Sequence, residues 1–112
     1  MVTELGSNNA RDPFGALGDP NRREILRLLS QGGKAVSELA AEMPISRPAI
    51  SRHLRLLKEA KLVTEQAQGT RRIYQLHDQG LEAVREYLNV VWSDVAVRFS
   101  LLANNSGPKE KE

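Results

Sequence analysis

Residues 44 to 57, Pro-Ile-Ser-Arg-Pro-Ala-Ile-Ser-Arg-His-Leu-Arg-Leu-Leu, restrict the fold more than any other stretch of the chain. Ser46 carries the side-chain oxygen of a helix cap. Ile50, Leu54 and Leu57 then recur at helical spacing and form one apolar stripe. Ser51, Arg52 and Arg55 fall on the other side of the same helix. A helix with an apolar back and a cationic front has to lie on a core with its charges outward, and here it reads as the second half of a helix-turn-helix.

The flanking sequence supplies the elements such a helix needs. Residues 1–11 are polar and aperiodic, as expected of a loose N-terminal arm. Asp12 and Pro13 predict the start of a short helix through Leu17, and Asp19-Pro20 repeats the signal. Ile25, Leu26, Leu28 and Leu29 form the inner side of a second helix, which Gln31-Gly32-Gly33 ends. Val36, Leu39, Ala40 and Met43 predict a third helix over 36–43, and Pro44-Ile45 turns the chain into a fourth over about 46–60. Leu62 to Ala67 and Arg72 to Leu76 read as two strands joined at Gln68-Gly69-Thr70, a wing. Asp78 is placed to cap a last helix over about 79–103, and 104–112 reads as a disordered tail. The predicted fold is mainly α with a small β-hairpin: a winged helix-turn-helix of five helices and a two-stranded wing, in one domain over 12–103.

Composition removes several function classes. No apolar run approaches the roughly 20 residues of a membrane span. The first residues lack a basic start followed by an apolar segment, so they do not read as a secretory signal. There are no cysteines, which excludes disulfides and thiolate metal sites and makes a cytoplasmic location the simplest expectation. No nucleophile, base and oxyanion donor come together in a motif, so an enzyme is not expected, and neither is a cofactor.

Charge placement points to a polyanion. Residues 47–72 hold seven Lys or Arg against two acids, a net of +5, whereas the remaining nine basic and twelve acidic residues sum to −3. A basic surface on a helix-turn-helix is suited to a DNA major groove. Arg47, Ser51 and Arg52 are assigned to base edges and nearby phosphates, with Ser46 and Pro48 beside them on the DNA-binding surface. Arg47 gains from the helix N-terminus, which favours phosphate. Arg55 and Lys58 are assigned to the DNA backbone, and Arg71 and Arg72 to a minor groove or its phosphates beside the wing. The plainer alternative for Arg71 and Arg72 is a hairpin tip kept soluble by charge.

The two histidines are read structurally. His53 lies toward Ile50 and Leu57 and is expected to be partly buried and hydrogen-bonded. His77-Asp78, with Glu82 and Glu86, has the donor types of a nitrogen and oxygen metal site, but helix capping by Asp78 is the simpler account, so no metal site is assigned. The last helix carries a longer apolar stripe than a small monomer covers easily. Leu81, Val84, Leu88, Val91 and Val95, with Trp92 and Phe99 as large anchors, are assigned to a homodimer surface shared with Phe14 and Leu17 of the first helix.

Four segments together resemble the ArsR-type winged-helix repressors. They are Leu17 to Leu26 (LGDPNRREIL), Val36 to Ala40 (VSELA), Ser46 to Leu54 (SRPAISRHL) and Gly69 to Tyr74 (GTRRIY), within a similarity that spans about residues 12 to 100. The resemblance implies a homodimer joined through its first and last helices, binding a palindromic operator on double-stranded DNA and repressing transcription, often of its own operon. The chain departs from the family twice. Metal-sensing members carry cysteines in the helix before the turn, and Val36 to Glu42 has none, which excludes thiolate sensing of arsenic, cadmium or lead. The turn often has Gly where this chain has Pro44, and proline cannot take a positive φ, so the turn must close differently. The chain therefore resembles the non-metal, autoregulatory branch. Two alternatives stand beside that reading: a metal- or small-molecule-responsive sensor repressor, and a winged-helix protein-interaction module.

Overall fold

Three of the described helices begin where a short polar side chain replaces a missing backbone partner. In the computed structural model, which describes residues 11–106, Asp12 accepts a hydrogen bond from Gly15 N at 2.8 Å and opens α1 (Pro13–Ala16). Asp19 accepts from Asn21 N at 2.7 Å and Arg22 N at 3.2 Å and opens α2 (Pro20–Leu29). Helix α3 (Val36–Glu42) lacks a side-chain acceptor at Ala35, and Glu38 reaches back instead to accept from Ala35 N at 2.8 Å. Ser46 accepts from Ala49 N at 3.2 Å and opens α4 (Arg47–Glu59).

The turn between α3 and α4 closes without a left-handed residue. Met43 is extended (φ −127°, ψ 143°), as a residue before proline prefers. Pro44 therefore ends α3 through its neighbour's backbone. The exit from α4 does use positive φ. Lys61 adopts φ 64°, Lys61 N donates to Lys58 O at 3.0 Å, and Leu62 N donates to Leu57 O at 2.9 Å. This is a Schellman motif with lysine where glycine is usual.

Strands β1 (Val63–Gln68) and β2 (Arg71–Leu76) pair antiparallel from Val63↔Leu76 to Gln68↔Arg71. Gly69 at φ 62° opens their two-residue turn, which suits a type II′ connection. Lys34 adds an isolated antiparallel bridge to Tyr74, with paired backbone bonds of 3.0 and 2.8 Å. The chain entering α3 is thus stitched to the wing, a contact without a sequence signal.

Helix α5 (Asp78–Ser106) continues past the expected boundary at Ala103. Its N-cap is His77 rather than Asp78: Gln79 N donates to His77 Nδ1 at 3.3 Å, while Asp78 is exposed in the first turn. Gly80 N donates to Lys61 O at 2.8 Å. A Cβ at Gly80 would lie 2.6 Å from Ala60 O, so the start of α5 meets the end of α4 at backbone contact distance. The expected arm, apart from Arg11, and residues 107–112 of the expected tail lie outside the described residues.

The core lies where α2, α3 and α4 meet the base of the wing. Ile25, Leu28, Leu39, Ile50, Leu54, Leu57 and Leu62 are its largest fully buried members, with Ala16 contributed by α1. Leu17 and Leu81 pack against it from its edge.

Candidate nucleic-acid interface

Helix α4 separates its two faces as its residue spacing requires. Ile50, Leu54 and Leu57 are fully buried, whereas Ser46, Arg47, Pro48, Ser51, Arg52, Arg55 and Lys58 are exposed. Arg47, Arg52 and Arg55 form no ion pair with a described residue. Their guanidinium groups remain available to a phosphate or the two acceptors of a guanine edge.

The back of this helix is held by a polar bracket from α2. Arg22, only 11% exposed, donates from Nε to Ala16 O at 2.8 Å and approaches His53 Nδ1 at 3.4 Å. Arg23 donates to Leu17 O at 2.8 Å. His53 is half-buried and hydrogen-bonded, in the position its helical phase implied. Burial, with the positive charges of Arg22 and Arg52, holds its pKa below 6.5 against the opposing pull of Asp19. A neutral ring accepting from Arg22 carries its proton on Nε2. Burial works to raise the Asp19 carboxyl, but the Arg22 and Asn21 amides, the charge that His53 gains once protonated in acid, and the charge of Arg22 carry it below its ordinary value. The Asp-Pro-Asn-Arg-Arg segment is therefore a joint between α1, α2 and α4.

The wing brings Arg71 and Arg72 to its exposed end, but both are engaged. Arg71 lies 3.2 Å from Glu38 of α3. Arg72 pairs with Glu65 of β1, which also accepts from Lys58 Nζ of α4 at 2.8 Å. The Lys58 and Arg72 bonds hold the Glu65 carboxyl below its ordinary range despite some burial. Between α4 and the wing is a cleft of about 410 Å³, lined in part by Ser51, Leu54, Arg55, Lys58, Lys61 and Tyr74. Neither Glu38 nor Glu65 was a sequence candidate. The available signal was that Glu65 is one of only two acids inside the basic 47–72 segment.

On α5 the apolar stripe is divided. Leu81 and Leu17 serve the subunit's own core, and Val84 and Val95 are half-buried. Phe14, Leu88, Val91, Trp92 and Phe99 are exposed, Trp92 by 57% and Phe99 by 65%. Leu102, which continues the stripe, is exposed too, and Tyr87, Val90, Val97 and Leu101 are exposed beside them and were not assigned to this surface from sequence. Phe14 and Tyr87 meet edge to face with ring centroids 5.2 Å apart, which ties α1 to α5.

His77 Nδ1 and Asp78 Oδ1 lie 3.5 Å apart. Among the described residues no three His, Asp or Glu side chains gather as a metal site. None of the described helices is long and apolar enough to cross a membrane.

Known proteins share this arrangement. The family described as bacterial regulatory protein, arsR family, matches residues 19–65, from the α2 cap through α4 into the wing. The HTH-type transcriptional regulator Rv2034 of Mycobacterium tuberculosis is 45% identical over 92 residues, covering 82% of this chain and 86% of that protein. This chain belongs to the ArsR family. It is a DNA-binding transcriptional regulator, not an enzyme. Another ArsR relative, the arsenical resistance operon repressor of Staphylococcus xylosus, is 35% identical over 75 residues, 67% of this chain and 72% of that protein. A crystal structure of a possible transcriptional regulator for arsenical resistance matches with a TM-score of 0.68 at 41% identity, over 86% of this chain and 98% of that one. The homodimeric winged helix-turn-helix DNA-binding domain Mb0332 of Mycobacterium bovis, solved by NMR, matches with a TM-score of 0.59 at 25% identity, over 100% of this chain and 94% of that one. The ArsR fold accounts for the five helices and the two-stranded wing among the described residues.

Proposed function

We propose that this ArsR protein is a cytoplasmic homodimeric repressor that binds a palindromic operator. Helix α4 of each subunit enters a major groove, with the two helices about one duplex turn (~34–36 Å) apart. Ser46, Arg47, Pro48, Ser51 and Arg52 face base edges and adjacent phosphates. Arg55 and Lys58 face the backbone, and Arg71 and Arg72 reach toward the neighbouring groove. The observation that carries this reading is the α4 front: three arginines without an acidic partner among the described residues, on a helix whose other side is fully buried.

Dimerisation through α5 and α1 is supported by the exposed Phe14, Leu88, Val91, Trp92 and Phe99, and by the homodimeric state of the Mycobacterium bovis relative. Repression follows when the dimer occupies a promoter and blocks polymerase; the Staphylococcus relative is itself named an operon repressor. Release requires a signal that favours a different dimer geometry. With no cysteine in the chain, that signal does not act through thiolates.

The experiment is a binding titration of Arg52→Ala against a duplex enriched from a random pool by the wild-type protein. A loss of ~1–3 kcal/mol in base discrimination, with the fold intact, is expected from one bidentate arginine contact. Unchanged affinity and preference would remove Arg52 from the readout. Mapping bound genomic sites tests autoregulation, which requires the protein's own promoter among them.

A further inference from the structure

The cations of the proposed interface fall into two sets. Arg47, Arg52 and Arg55 project from α4 without an acidic partner among the described residues. Lys58, Arg71 and Arg72 are each engaged by a carboxylate. Glu65 holds two of them, and its own side chain is only 14% exposed while Lys58 and Arg72 are 54% and 68% exposed. Its partners come from different elements, α4 and β2, so this one carboxylate spans the angle between recognition helix and wing. It also lines the cleft between them, opposite Tyr74 in the strand register.

A carboxylate on a phosphate-facing surface opposes binding, because each cation it neutralises is one fewer partner for the duplex. We infer that Glu65 is a specificity-determining residue, whose carboxylate withholds Lys58 and Arg72 from the phosphates of arbitrary DNA and releases them only in the operator register. This rests on the DNA-facing surface proposed above. Sequence-independent binding relies on cations that find phosphates in any register. Pinned cations count only where base contacts from α4 have already brought a phosphate close enough to displace the carboxylate. Glu65 therefore weakens binding to random sequence more than binding to the operator. Glu38 acts in the same way on Arg71, less strongly, since its side chain is 51% exposed.

The test measures salt-dependent binding of the full chain and its Glu65→Gln variant to a random-sequence duplex and to the enriched duplex. On the random duplex, freeing two cations should steepen the slope of log K against log salt by about 1.8. It should also raise affinity by on the order of tenfold or more at about 0.1 M salt. Affinity for the enriched duplex should change by less than about threefold, so the ratio of the two falls. In a Lys58→Gln/Arg72→Gln background, Glu65→Gln should have no effect. An equal shift on both duplexes, no shift, or an effect that survives in that background would overturn the inference.

Should Glu65→Gln lose its fold by circular dichroism, Glu38→Gln carries the test. The Gln oxygen can still accept from Ala35 N, so the start of α3 is kept and only the charge that pairs with Arg71 is removed. The expected steepening is then about 0.9, and an unchanged slope is the overturning result. Arg52→Ala distinguishes the DNA-facing surface from the role of Glu65. If it leaves the enriched duplex unaffected, the surface assignment fails. If it weakens that duplex while the carboxylate variants change nothing, only the role of Glu65 fails.

Discussion

Helices α4 and α5 carry comparable apolar residues and treat them in opposite ways. In α4 the large aliphatic residues Ile50, Leu54 and Leu57 are fully buried within the subunit, and polar residues occupy the front. In α5 Val90, Trp92, Val97, Phe99, Leu101 and Leu102 are each more than half exposed. Among the described residues, the chain therefore covers the apolar side of α4 by itself and leaves that of its last helix exposed. Large contiguous apolar faces on soluble proteins mark contact surfaces. One helix is finished by folding, and the other supports the association proposed above.

The largest expected effect tests the uncovered side. Replacing Trp92 and Phe99 together by alanine should weaken the proposed dimer by roughly 4 kcal/mol or more, about a thousandfold, if both are anchors. Sedimentation velocity should then show monomer where the wild type is dimeric, and operator binding should fall with it. A wild-type chain that sediments as a monomer breaks the contrast between the helices.

The next effect tests the finished side. Leu54→Ala should destabilise the subunit by ~2–5 kcal/mol in urea unfolding, the usual cost of a cavity in a closed core. In the monomeric double variant, Leu102→Ala should change stability by no more than about 0.5 kcal/mol, as expected for an exposed site. Similar costs at both positions would show that α5 has a covering surface within its own subunit.

A smaller gain is expected where the two helices are joined. Lys61 adopts φ 64° between the end of α4 and the strand that follows. Lys61→Gly should stabilise the fold by about 1 kcal/mol by removing the left-handed penalty, measured as a shift in the urea midpoint. A loss of stability would mean that the lysine side chain contributes more than its backbone costs.

The smallest effect concerns the bracket behind α4. His53 titrates below 6.5 when folded, so the unfolded chain binds the proton more readily. Its contribution to stability is therefore complete above about pH 6.5 and is lost as pH falls through the lowered folded value. His53→Gln should flatten the stability profile in that window without altering it at neutral pH. An unchanged acid slope would mean that another group controls it.

Much of this fold was legible because its signals are local. Caps at Asp12, Asp19 and Ser46, the helical stripe of α4 and the turn at Gly69 depend on residues within a few positions of one another. The His77 cap was missed because Asp78 offered a more familiar acceptor one residue later. The exposed side of the candidate site was legible for the same reason, since helical phase alone turns Arg52 away from Leu54. Which cations are free was not. Glu65 meets Lys58 and Arg72 across seven residues in each direction, and Glu38 meets Arg71 across the whole of α4 and β1.

The amino-acid order by itself determined which residues form α4, which face of it is apolar, and that thiolate chemistry is absent, since each depends only on neighbouring side chains or their identity. The tertiary structure alone decided that Gly80 locks α5 against the end of α4, that Lys34 joins the wing, and that one carboxylate holds two of the interface cations. Those outcomes depend on distances between segments far apart along the chain, which are set only when the core brings them together.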